Sequence, residues 1–320
     1  MTHTATERRA RPPRERARTR RWRERRLSLR WLALTVGLAI LVVAAGAFVA
    51  AGRGSSGSTG ALSVLKTTDF HALAFSGDDP NVLFFGHHNG MMRSDDGGRT
   101  WQTLVDRRNF DAMGLAVSPT GSRPIYLAGH DIFQVSTDGG ASWQPVDHNL
   151  PGTDIHGFAM SPDDPNKLYA FVAGKGLFAS SDGGSAWQAL GGRLPPDIMG
   201  FAAAGGAPAT LYASSMQSGM LRSTDDGQMW TGAGSGLGPG VMSLAVDPKT
   251  PTTVFAGAPG GLYRTSDGGA SWIKLPFPGE SVVAISVSPR NNAVAAIAVK
   301  GKEGLVYRSD NGGATWGSSG

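Results

Sequence analysis

The chain has 320 residues and a formal net charge of +5, but the positive charge belongs to one end: residues 1–30 carry twelve arginines against three glutamates, and everything after them sums to −4. A mildly acidic body argues against a nucleic-acid-binding surface, so no nucleic-acid partner is expected. There is no cysteine, which excludes disulfides, thiolate catalysis, cysteine-ligated zinc and a lipoprotein anchor.

Taken in order, residues 1–30 read as a basic cytoplasmic tail. Trp31 to Ala51 (WLALTVGLAILVVAAGAFVAA) carries no charge over 21 residues. As a helix it would be about 30 Å long, enough to cross a bilayer core. With the arginines ahead of it, the positive-inside rule predicts a single-pass cell-membrane protein, its N-terminus cytoplasmic and its body extracytoplasmic. The competing reading is a cleaved signal peptide ending near Val49-Ala50-Ala51. The long basic leader and full-length apolar run favour an uncleaved transmembrane helix over 31–51. Residues 52–61 contain RGSSGSTG and predict a flexible linker.

Residues 62–320 carry six copies of one eight-residue box: Ser94–Trp101, Ser136–Trp143, Ser180–Trp187, Ser223–Trp230, Thr265–Trp272 and Ser309–Trp316. Their tryptophans fall 42, 44, 43, 42 and 44 residues apart, the period of a four-stranded propeller blade. The expected fold is all-β, a six-bladed β-propeller with four-stranded blades, preceded by one transmembrane helix.

In the first blade, residues 71–75 predict the innermost strand, 82–86 the second and 91–94 the third. The box follows as a turn, and residues 101–104 begin the outer strand. The fifth box position is always glycine, permitting positive φ in a tight turn. The aspartate at position three accepts turn amides, and the tryptophan covers apolar surface between sheets. Asn311 in place of aspartate, and Ala186 and Met229 in place of Ser/Thr, fit a purely structural turn. Too little chain follows Trp316 for an outer strand in the last blade. Residues 62–65 are expected to supply it and close the ring.

These SxDxGxTW boxes, each after a strand of the G-L-[FY]-x-S type, resemble the Asp-box (BNR-repeat) propellers. That group includes sialidases, xyloglucanase-type glycoside hydrolases, sortilin-like receptors and photosystem assembly factors. The chain also looks like membrane-anchored bacterial relatives loosely labelled glycosyl hydrolase. The resemblance covers residues 62–320 and implies fold more strongly than activity. Sialidase chemistry would imply an arginine cluster, a tyrosine nucleophile and a glutamate partner. Beyond the tail there are only two glutamates, Glu280 and Glu303. The five tyrosines fall inside repeating strands, and Arg93, Arg222, Arg264 and Arg308 share one repeated position before the box.

A two-carboxylate glycosidase would draw on Asp69, Asp111, Asp154 and Asp197, which share one position just before the inner strands of blades one to four. The plainer reading is that each caps local backbone. Histidines and methionines gather on the same, top face. Two residues after that aspartate, successive blades carry His71, Met113, His156, Met199, Met242 and then Val283. His87 and His88 point opposite ways in an extended segment, so at most one serves the axis. His71, His87, His130, His156, Met113 and Met199 are the candidate metal ligands. Imidazole with thioether and no thiolate suits copper; inter-blade packing is the competing account. The functional expectation is a membrane-anchored binding or assembly module with a glycan or protein ligand on the top face. Glycoside hydrolysis is the alternative.

Overall fold

A computed structural model describes residues 60–317 apart from 68, 122 and 123. The basic tail, the apolar run 31–51 and the linker to residue 59 lie outside the described residues. Among the described residues no helix is long and apolar enough to cross a membrane.

Small and large apolar residues alternate along Ala72–Phe75, Gly114–Val117, Ile155–Met160, Ile198–Gly206, Ser243–Val246 and Val282–Val287, which form the innermost strands of six antiparallel four-stranded sheets. Each sheet continues outward through three further antiparallel strands. In the first blade these are Leu83–His87, Gly90–Ser94 and Gln102–Asp106. The expected boundaries therefore shift by one or two residues: His71 precedes its strand, and Trp101 belongs to the box turn.

The sixth sheet is completed from the other end of the domain. Ser63–Leu65 pairs antiparallel with Glu303–Ser309, in the register Ser63↔Val306, Val64↔Leu305 and Leu65↔Gly304. Ser63 also ties this strand to the first blade. Its hydroxyl donates to the Gly98 carbonyl (2.5 Å) and accepts the Trp101 indole N–H (3.1 Å).

Apolar residues bury between sheets. Among the described residues there are six core clusters, one at each junction of neighbouring blades. The junction of blades six and one gathers Leu65, Leu73, Phe85, Ile297 and Val306. The tryptophan of each box packs at the junction with the preceding blade, as Trp187 does beside Phe133. Burial is thus spread around a ring, and every blade depends on both neighbours.

The boxes share one hydrogen-bond plan. The first-position hydroxyl accepts the N–H of the fifth-position glycine at 2.8–3.0 Å. It donates to the third-position side chain at 2.6–2.8 Å. That side chain accepts the seventh-position amide at 2.8–3.0 Å. The glycine sits at φ between +83° and +95°, where a Cβ is strained. Because the essential contact is to a backbone amide, Ala186 and Met229 satisfy it without a hydroxyl, and Asn311 accepts as aspartate does. At Asp138, hydrogen bonds from the Ser142 hydroxyl and amide and from Ser136 hold the carboxyl at about 2. At Asp96, burial pushes upward, but the Thr100, Ser94 and Arg99 hydrogen bonds outweigh it and leave the carboxyl also at about 2.

Candidate functional site

The loops entering the inner strands and those joining second to third strands meet on the top face, around the axial channel. In blades one and two, Asp69 and His88, and Asp111 and His130, are each separated by 19 residues. Each aspartate accepts the backbone N–H of its histidine, at 2.8 Å for His88 and 3.1 Å for His130. In blade four Asp197 does the same for Gln217 (2.8 Å) and also accepts the Ser215 hydroxyl (2.7 Å). In blades one, two and four the repeated aspartate is therefore the acceptor that folds the top loop back onto its blade, whereas in blade three the Asp154 backbone carbonyl accepts the Ala173 N–H.

In blades one to three this scaffold lines up imidazoles and carboxylates alternately. His71 Nε2 lies 3.4 Å from Asp69 Oδ1, and Asp69 Oδ2 lies 3.2 Å from His88 Nδ1. His88 Nε2 faces Asp111 Oδ1 at 3.8 Å, and Asp111 Oδ2 bonds His130 Nδ1 at 2.5 Å. His130 Nε2 is 3.7 Å from Asp154 Oδ1, which lies 3.0 Å from His156 Nε2. Four histidines and three aspartates thus form one continuous row. Burial, then the neighbouring His88 ring, hold His71 down at about 4, so its imidazole is neutral at pH 7. Asp111 is 5% exposed, and its Oδ1 has no hydrogen-bond partner among the described residues. Three overlapping sets in the row bring donor atoms within 4.8 Å of one another: Asp69, His71 and His88; His88, Asp111 and His130; His130, Asp154 and His156.

The predicted residues separate as follows. His71, His130 and His156 stand in the row. His87 does not: its ring stacks on Phe85 (5.8 Å) and accepts the Asn89 N–H, while burial lowers its pKa. His88 takes the place that sequence reasoning gave to His87. The repeat itself carried the signal, since His88 precedes His130 by 42 residues, the spacing of their tryptophans. His148 is also outside the row, its ring against Phe133. Met113 and Met199 line a cavity of about 110 Å³ in the channel, together with His71, His156, Met242 and Ile285. Val283 does not line this cavity and packs at the junction of blades six and one, while Ile285 lines it at the level of Leu73, Leu115, Phe158, Phe201 and Leu244. Asp69, Asp111 and Asp154 belong to the row, and Asp197 stands apart from it.

The model of the BNR/Asp-box repeat matches residues 92–103 and 134–145, the boxes of blades one and two. The chain carries BNR/Asp-box repeats on a six-bladed β-propeller. Among solved structures, YCF48 bound to a D1 peptide aligns at 18% identity and a TM-score of 0.51, covering 80% of this chain and 83% of that chain. A GH74 enzyme of Niastella koreensis aligns at 18% identity and 0.51, covering 78% of this chain and 46% of the enzyme. The GH74 xyloglucanase of Xanthomonas campestris gives 18% and 0.51, with coverages of 80% and 46%. The propeller spans about half the length of these GH74 enzymes. At such identity the likeness is one of fold. No curated protein gives a significant match.

Proposed function

We propose that the chain is a membrane-anchored extracytoplasmic binding module that receives a protein segment on its top face, at the mouth of the axial channel. One observation carries this reading. The carboxylates that hydrolysis would need are separated by imidazoles: His88 stands between Asp69 and Asp111, and His130 between Asp111 and Asp154. A glycosidase requires two carboxyls facing each other across a gap open to the sugar, about 5–10 Å apart. Here the gaps are filled by rings, and Asp197 is committed to Ser215 and Gln217. An interrupted row of donors and acceptors, partly exposed, suits recognition of polar groups.

YCF48, solved with a D1 peptide, is matched over 83% of its length, whereas the GH74 enzymes are matched over 46%. This favours a peptide over a polysaccharide ligand. Residues 31–51 are the anchor in this reading and residues 1–30 its cytoplasmic flank. Imidazoles and carboxylates come within 4.8 Å of one another along the row, while the thioethers of Met113 and Met199 line the channel cavity beside His71 and His156.

Panning the full chain against a displayed peptide library tests the proposal, with Asp154→Ala as the counter-selecting variant. Peptides that bind the parent and not the variant are expected. Hydrolysis of xyloglucan oligosaccharides or sialosides that disappears in Asp154→Ala or Asp197→Asn would overturn it. Anchoring is tested by fractionating an expressing bacterium: the chain should sediment with membranes and lose its propeller to external protease.

A further inference from the structure

We infer that the middle of the row, His88, Asp111 and His130, is a binding site for one divalent first-row transition ion of the zinc class. The inference deepens the top-face reading of function but does not stand on it, since an ion binds here whether or not a peptide does.

The argument begins with Asp111. Its carboxylate is buried, yet one oxygen, Oδ1, is without a hydrogen-bond partner among the described residues. Buried polar atoms in folded proteins are nearly always paired, so an orphan carboxylate oxygen points to a missing cation or donor. The atom facing it is His88 Nε2, at 3.8 Å. Two donors bound tetrahedrally to one ion at ~2.0–2.1 Å stand roughly 3.3 Å apart, so an approach of about half an ångström makes these two atoms co-ligands. On the other side His130 Nδ1 lies against Asp111 Oδ2. That bond must lengthen slightly to admit the ion. All three side chains offer donor atoms within 4.8 Å of one another.

The remaining nitrogens are arranged for the same purpose. His88 turns Nε2 to Asp111 and Nδ1 to Asp69 Oδ2, at 3.2 Å. His130 turns Nδ1 to Asp111 and Nε2 toward Asp154 Oδ1, at 3.7 Å. Behind His88 stand Asp69 Oδ2 and His71 Nε2, each 3.2 Å from Nδ1; behind His130 the Asp154 carboxylate stands just beyond hydrogen-bond reach, and a small approach lets it take the far N–H, the kind of partner that fixes a tautomer and raises basicity toward a metal. Asp69 and Asp154 are positioning residues in this arrangement. The central set is the one that satisfies Asp111. Once it holds an ion, the outer sets have only Asp69 with His71, and Asp154 with His156. One tight ion per chain follows.

The donor set fixes the chemical class. Two imidazoles and a carboxylate suit zinc(II) and its divalent neighbours, and no thioether lies in the set to favour copper(I). Three protein ligands leave coordination positions open. The His88 and His130 side chains are 42% and 45% exposed, so those positions face solvent on the top face. A carboxylate or imidazole of a docking peptide can complete the shell there.

The test is a titration of the full, tag-free chain with zinc sulfate against a chromogenic chelator. One zinc per chain is expected. Asp111→Asn and His88→Ala should weaken binding by ~100-fold or more, and Asp69→Asn by ~10-fold through the imidazole it orients. His87→Ala and His148→Ala should bind as the parent does. Should Asp111→Asn fail to fold, His88→Ala and His130→Ala, both at half-exposed rings, carry the measurement, with thermal melts reporting their fold. No uptake by the parent, two ions per chain, or unchanged affinity in His88→Ala would each overturn the central site. Zinc binding with no selected peptide would leave this site standing and remove the peptide reading. Peptide binding without zinc uptake would do the reverse.

Discussion

Replacing Leu65 by alanine tests whether the ring is closed by a strand from the other end of the domain. Leu65 is 2% exposed and sits at the junction of blades six and one with Leu73, Phe85, Ile297 and Val306. A buried leucine cut to alanine loses its transfer free energy and leaves a cavity, about 3–4 kcal/mol for a site walled on all sides. For a domain of this size each kcal/mol moves Tm by roughly 2–4 °C, so a fall of ~6–16 °C is expected in the full chain, followed by tryptophan fluorescence. The neighbouring Val64 is the internal control. It lies on the same short strand, pairs with Leu305, and is 43% exposed. Val64→Ala should cost no more than ~0.5 kcal/mol. The contrast matters more than either value. If Leu65→Ala changed Tm no more than Val64→Ala, residues 63–65 would not be docked in the sixth sheet, and the account of closure would fail.

Ser180→Ala removes the buried hydroxyl that accepts the Gly184 amide and donates to Asp182; a loss of ~1–3 kcal/mol is expected, with the exposed Ser185→Ala as a neutral control in the same denaturation series. The box carboxylates make stability acid-sensitive in a defined window. Asp96 and Asp138 are held at about 2 against ~3.9 in an unfolded chain, so the unfolded state binds more protons between those values. Their contribution is complete above pH ~4 and lost as pH falls toward 2. Asp138→Asn should therefore lie below the parent in Tm at pH 6 and meet it near pH 2. A gap that does not change with pH would refute the assignment.

Much of this protein is legible in one dimension. A box repeated six times at 42–44 residues fixes blade number, because each four-stranded sheet has a set length and each box serves its own turn through short-range hydrogen bonds. Residue drift within the box is readable for the same reason: a turn that needs a backbone amide tolerates Ala186 and Met229. Even the closing strand follows from counting, since a last blade one strand short needs one from the other end. The repeat also contained the correct choice between His87 and His88, through the 42-residue step to His130, although local strand alternation alone could not make it.

Tertiary structure decided the rest. His71, Asp69, His88, Asp111, His130, Asp154 and His156 come from three separate blades. Whether they meet depends on the curvature that brings successive top loops together around the axis. Sequence placed aspartates and histidines on one face, the aspartates as glycosidase acids or as groups orienting the imidazoles, without giving their order. The fold joins them into one alternating row. It also packs Val283 into the junction of blades six and one, although the equivalent His71, Met113, His156, Met199 and Met242 line the channel cavity. The orphan oxygen of Asp111, on which the metal inference rests, is a property of packing, because burial and the positions of neighbouring donors exist only once the blades have assembled.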